Sequence, residues 1–217
     1  ISALLFRLGN VKKNIGYNRE GRGFLLDFSP EINYHKHYIN RYAFLFNEYI
    51  GNKYVYLPEL SLRYTGQKTF QFDNSHKTIA LYLGGENKEF RKYPDEYAVQ
   101  LLRLLNRQGY NLLLIGDEND NIKHTQYAEE ARIDHLINLT ARTTIEGFIN
   151  TIANVDLIIT IDSSALHIAA AVKTPFIALM GLSTSPTSTI LPKVPLGRIL
   201  KIENNLIREE DYIRNMT

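Results

Sequence analysis

No cysteine occurs among the 217 residues, which excludes disulfide staples and thiolate metal sites. An excess of one charge is also lacking: 25 Lys and Arg against 23 Asp and Glu leave a formal +2, scattered along the chain. No polycationic face for nucleic acid can be read from that balance, which is compatible only with a mild attraction to anionic lipid head groups. No apolar run is long enough to span a bilayer, since the longest, Ala165 to Gly181, is broken by His167, Lys173 and Pro175. Any membrane association is therefore expected to be peripheral. Internal repeats, low-complexity tracts and a recognisable signal peptide are missing too, and together with the lack of cysteine this favours the cytoplasm. There is no initiator methionine: the chain opens at Ile1 inside what reads as an element, ISALLFRLGNV, so an upstream segment is expected.

What is present is enough apolar material, 44% hydrophobic with 11% aromatic, for one substantial core or two modest ones. From Lys77 onward short apolar runs alternate with amphipathic stretches, as when parallel strands are joined by helical crossovers. Strands are expected at Thr78 to Leu83, Asn111 to Ile115, Leu136 to Leu139, Asp156 to Thr160 and Pro175 to Met180. A helix is expected from about Pro94 to Arg107, with Tyr97, Ala98, Leu101, Leu102, Leu104 and Leu105 at helical spacing and Gly109 beyond its end. Another opens at Thr143, which has capping-box spacing to Glu146. The apolar VDLIIT and FIALM segments read as strands covered on both faces, hence a doubly wound sheet. The first seventy or so residues differ, being rich in Tyr, Asn and Arg, with a helix expected from about His37 to Tyr49 and a strand-like piece at Tyr54 to Leu57. The polar stretch Gln71 to Lys77 reads as a linker, which sets a boundary near Asn74 and two domains, 1–73 and 74–217.

In an open parallel sheet, ligands collect beyond the carboxyl ends of the strands. Four such ends carry polar or glycine-rich residues: GGENKEFRKYP with Asn87, Arg91 and Lys92; GDEND with Glu118; IDSSALH; and GLSTSP. In IDSSALH an acid, two hydroxyl residues and a helix follow a strand without spare residues. Ser163 and Ser164 fall at a helix N-terminus, where unpaired N–H groups and the helix dipole attract phosphate. His167 lies one turn inside, and Asp162 at the strand end can accept hydrogen bonds from sugar hydroxyls. The plainer reading is that Asp or Ser before a helix is an N-cap and that His167 is a core histidine. It weakens when all four strand ends are polar or glycine-rich together.

At these residues the sequence resembles the family 9 glycosyltransferases, the ADP-heptose:lipopolysaccharide heptosyltransferases. GGENKEFRKYP, IGDEN, INLTARTTIEGF and TIDSSALHIAAAVKTPFIALMG follow in the family's order, and NIGYNREGRGFLL resembles its R-I-G-Y segment. Tyr93 stands where the family has tryptophan, and Ser164 and Lys173 where it has glycine. The resemblance implies an α/β GT-B architecture with a complete Rossmann-like C-terminal domain and a partial N-terminal one. It further implies inverting transfer of heptose from ADP-heptose to the lipopolysaccharide inner core, without a metal or other cofactor. Arg91 or Lys92 would face the diphosphate and Glu118 the ribose, while Asp162, Ser163, Ser164 and His167 would hold phosphates and heptose, with Asn87 a further candidate. The family's general base would lie upstream of Ile1.

Competing readings fare worse. Asp162, Ser163 and His167 are crowded on one helix start without a G-x-S-x-G elbow, which argues against a hydrolase triad. GDEND and the pair His35 and His37 lack further metal ligands, and no G-x-G-x-x-G follows the first strand of a dehydrogenase. The runner-up is a module that binds ADP or ADP-sugar without turnover, and next to it a related transferase with another donor.

Overall fold

Strands that are apolar at every position need cover on both sides, and the computed structural model of the chain provides it. It describes residues 2–32, 38–54, 61–73, 75–84, 93–181, 195–203 and 206–210. Among them seven strands make one sheet: β1 Thr78–Tyr82, β2 Asn111–Leu114, β3 Leu136–Asn138, β4 Leu157–Ile161, β5 Phe176–Met180, β6 Gly197–Glu203 and β7 Leu206–Glu210, in the order β3-β2-β1-β4-β5-β6-β7. β1 to β6 pair in parallel and β7 runs antiparallel on the edge. The helices are α1 Ser2–Leu8, α2 Tyr38–Tyr49, α3 Asp95–Arg107, α4 Asn121–Ala131, α5 Ile145–Ala153 and α6 Ser164–Val172.

The two faces bury separate clusters. On one, Ala80, Leu113 and Ile158 meet Ile152 of α5 and Leu166 of α6. On the other, Leu81, Leu112 and Leu114 meet Ala98 and Leu102 of α3 and Tyr127 of α4. Of the two strands expected to be covered on both faces, β4 is buried except at Leu157, whereas β5 alternates, with Ile177 and Leu179 half-buried; β1 and β2 are buried throughout. A doubly wound α/β sheet is therefore present, with five of its strands where the apolar runs predict them.

Three details differ from expectation. The helix after β3 is capped by Thr144, whose Oγ accepts from the N–H of Gly147 at 3.1 Å, rather than by a Thr143–Glu146 box. β6 and β7 extend the sheet beyond the five expected strands, while α4 fills the gap between β2 and β3 as a crossover helix should. The compact unit that carries the sheet begins at Leu60, ahead of the boundary drawn near Asn74. Its polar lead-in is tied down by buried polar groups: Asn150 accepts from the N–H of Gly66 at 3.1 Å and donates to Thr65 at 2.8 Å. The hydroxyls of Thr69 and Thr151 are hydrogen-bonded, Leu62 N–H donates to the carbonyl of Ala171 at 3.2 Å, and Phe70 and Phe72 pack on the core. Composition reads such a stretch as solvated because it does not show the partners.

The other compact unit is built chiefly from Ile1–Glu59. There α1 and the turn at Arg22–Leu25 are joined by buried Asn14, whose side-chain amide donates to the carbonyls of Ala3 at 3.1 Å and Leu25 at 3.0 Å. Ile15 and Phe28 form a short parallel bridge. α2 occupies nearly the span predicted from His37 to Tyr49. The strand-like piece at Tyr54 to Leu57 and the pair His35 and His37 lie outside the described residues, Tyr54 excepted. No helix among the described residues is long and apolar enough to cross a membrane.

Candidate functional site

The strand order reverses between β1 and β4, since chain connections run outward in opposite directions from that pair. Crossovers diverge there and leave a crevice beyond the strand ends. Gly84 follows β1 on one side of it, and Asp162 and Ser163 follow β4 on the other.

Ser163 is the N-cap residue of α6, with extended backbone at φ −146° and ψ 174°. Its side chain does not cap the helix, however. The hydroxyl is hydrogen-bonded to that of Thr160 at 2.9 Å. The plain N-cap reading of this serine is thus not what the geometry provides, and the first N–H groups of α6 have no side-chain cap. Ser164, the first helical residue, is exposed, and Asp162 is half-buried at the end of β4.

His167 lies on the same helix, with Nδ1 buried and without a hydrogen-bond partner among the described residues. Burial pushes its pKa down, and the neighbouring Asp162 carboxylate opposes that shift. A neutral imidazole with an open ring nitrogen is poised for a polar ligand, because a buried polar atom left unsatisfied is rare in folded proteins.

At the end of β2, Glu118 is exposed on a short 3-10 turn, Glu118–Asp120. The turn is closed by Asp117, whose Oδ1 accepts from the N–H of Asn119 at 2.8 Å. Asn87, Arg91 and Lys92 lie outside the described residues. Tyr93, next in the chain, returns to the end of β1, its N–H donating to the carbonyl of Leu83 at 3.4 Å while its ring packs on the core. Among the described residues no group of three or more histidine or acid side chains could hold a metal ion.

Sequence reasoning missed two features. The acid Asp120 and His124 of α4 are buried behind the ends of β1 and β2; nothing in a polar GDENDNIKH run signals which acid turns inward. In the first unit a cavity of about 240 Å³ has Phe6, Leu26 and Leu45 in its lining together with Arg19, Arg22 and Arg41. Arg19 and Arg22, in the REGRG stretch, already hint in the sequence at an anionic acceptor; the cavity itself and Arg41, which comes from α2, are brought there only by folding.

A six-stranded parallel sheet with an antiparallel edge strand, and a crevice at the reversal of its strand order, defines a Rossmann-like α/β domain. The profile of Glycosyltransferase family 9 (heptosyltransferase) matches residues 1–209, and the chain belongs to that family. It is 32% identical over 133 residues to lipooligosaccharide heptosyltransferase 2 of Haemophilus influenzae, a match over 59% of this chain and 38% of that protein. Lipopolysaccharide heptosyltransferase 2 of Salmonella typhimurium is 26% identical over 118 residues, which cover 53% of this chain and 34% of its own length. The match thus spans little more than a third of these relatives. Among solved structures, the Escherichia coli ADP-heptose LPS heptosyltransferase II superposes with a TM-score of 0.73 at 22% identity, over 94% of this chain and 66% of that one. The Escherichia coli heptosyltransferase WaaC with ADP gives 0.63 at 18% identity, over 86% and 56%. These two likenesses carry the fold.

Proposed function

We propose that this chain is part of an enzyme that transfers heptose from ADP-heptose to the inner core of lipopolysaccharide, with inversion and without a metal ion. The sheet-bearing unit takes the donor and the other unit serves the acceptor side. It works in the cytoplasm, with at most peripheral contact with the inner membrane. The observation that carries the donor reading is the start of α6: first-turn N–H groups without a side-chain cap, flanked by Asp162 and by the open Nδ1 of His167, at the switch point of the sheet. The names of the relatives, all heptosyltransferases, supply the sugar and the acceptor.

Glycosyl transfer moves negative charge onto the departing diphosphate. Donors fixed there before reaction stabilise the transition state more than the ground state, and need no reorganisation as the bond breaks. The α6 amides and Ser164 act as such donors, joined by Arg91 or Lys92. His167 contributes a hydrogen bond rather than a full charge at neutral pH. Asp162 accepts from heptose hydroxyls, Glu118 from those of the ribose, and Asn87 is a further contact. On the acceptor side, the apolar cavity with Arg19, Arg22 and Arg41 in its lining suits an anionic sugar.

Isothermal titration with ADP-heptose, a GDP-sugar and a UDP-sugar tests the donor reading. Preference for ADP-heptose supports it, and preference for another nucleotide reassigns the donor. Binding without turnover, restored by a natural upstream extension, would mark the chain as a binding portion of the enzyme. Loss of neither binding nor turnover in Asp162→Ala and His167→Ala overturns the site.

A further inference from the structure

Two exposed histidines meet at the amino-terminal end of the sheet, opposite the crevice: His76 shortly before β1 and His135 immediately before β3. Their rings lie 6.2 Å apart, centre to centre, with planes inclined by 28°. β2 stands between their strands and anchors both. The side-chain amide of Asn111, 1% exposed, donates to the carbonyl of His76 at 3.3 Å, and the N–H of Leu112 donates to that of His135 at 2.9 Å.

A proton count fixes the form of His76. The Ser75 hydroxyl donates to Oδ1 of Asp73 at 2.8 Å, and this bond holds the Asp73 carboxyl below its ordinary value. A hydroxyl has a single proton to give, so in its 2.6 Å contact with Nδ1 of His76 the ring nitrogen donates. Neutral His76 therefore carries its proton on Nδ1 and a lone pair on Nε2. A carboxylate that orients an imidazole from behind, here through a serine, is the arrangement that prepares a histidine to bind a metal ion. The ring spacing agrees with that role. At a metal–nitrogen distance of about 2.1 Å an ion stands roughly 3.2 Å from each ring centre, so two imidazoles on one ion have centres about 5 to 6.5 Å apart.

We propose that His76 and His135 form a two-point site for a divalent transition-metal ion of the imidazole-preferring kind, Zn²⁺ or Cu²⁺, with water completing its shell. Imidazole nitrogen suits these ions, whereas Mg²⁺ and Ca²⁺ prefer oxygen ligands and should not compete. No third histidine or acid joins the pair among the described residues. A bound ion ties the residues ahead of β1 to those ahead of β3, and so clasps the amino-terminal edge of the sheet across β2. The inference is independent of the donor reading and gives the ion no part in glycosyl transfer.

Calorimetric titration with Zn²⁺, repeated with Cu²⁺ and accompanied by thermal melting, tests the site. The parent should bind the ion and melt at a higher temperature in its presence. Both histidines are exposed, so His76→Ala and His135→Ala should leave the fold intact; each should weaken binding about tenfold or more, and the double variant should lose the rise in melting temperature. Ser75→Ala keeps both ligands but removes the hydroxyl that orients one of them, and should weaken binding roughly tenfold. Affinity should fall as pH drops from about 7 to about 5.5, where protons compete for the imidazoles. The pair His35 and His37 supplies a control, since a His35→Ala, His37→Ala variant should retain the binding. A parent that binds neither ion overturns the proposal, as does binding that survives loss of both His76 and His135 or disappears with His35 and His37 instead. Parental affinity in Ser75→Ala removes the oriented imidazole and the proposal with it.

Discussion

Replacing His167 by alanine removes the one imidazole on α6 and tests whether its open Nδ1 faces the donor. In the empty protein burial holds this histidine below its ordinary value, so it is neutral near pH 7. A bound diphosphate favours the imidazolium, so the complex takes up a proton and affinity should grow as pH falls from about 8 towards about 6. The neutral hydrogen bond to a charged group is worth about 1.5 to 3 kcal/mol, so His167→Ala should weaken binding by roughly ten- to a hundredfold at pH near 7. It should also flatten the pH dependence. ADP-heptose is the right ligand for the titration, because its esterified diphosphate carries no group that titrates in this range, unlike free ADP. Titrations at three pH values, parent and variant side by side, measure both effects. A variant that binds tenfold more weakly with the parent's pH slope would place the proton elsewhere, and one that binds equally at every pH would refute the assignment.

His124 is also held below its ordinary value by burial, against the opposing carboxylates of Asp120 and Asp117. The unfolded chain takes up protons at these two histidines before the folded one does, so stability is full above about pH 6.5 and falls as pH drops below it. The melting temperature should decline from about pH 7 to about pH 5, and His124→Gln should reduce that slope. Asn150→Ala deletes two hydrogen bonds to the Thr65–Gly66 stretch from a residue only 3% exposed, so it should destabilise by about 2 to 4 kcal/mol in urea unfolding; donor affinity should stay unchanged. Gly197→Ala would bring a Cβ within 2.2 Å of the Phe176 ring; a loss of about 1 to 3 kcal/mol is expected, partly recovered when Phe176→Leu makes room.

The sheet was legible because its central strands are apolar on both faces, a pattern that Leu112, Leu113 and Leu114 display without interruption. β6 escaped notice because Gly197, Arg198 and Lys201 interrupt its apolar residues, and pairing to β5 supplies what propensity does not. α4 shows little periodicity, since Asn, Lys, His and Gln occupy its first half, and packing of Tyr127 and Ala131 holds it in place. The candidate site was legible at β4–α6, where chemistry and chain order coincide. Asp120 was not, because whether an acid in GDEND faces water or the interior depends on contacts between β1 and β2, which are distant in sequence. The Thr144 cap differs from the predicted Thr143 by one residue, and either hydroxyl satisfies the same local rule.

Because the Ser163 hydroxyl bonds to Thr160, α6 starts without the intramolecular closure that Thr144 gives α5. Whatever anion settles there completes the helix, so occupancy of the crevice and integrity of the opening turn become a single equilibrium. Deuterium uptake at the amides of Ala165 and Leu166 should be fast in the empty protein and slow once the donor is bound, while the opening turn of α5 keeps its rate.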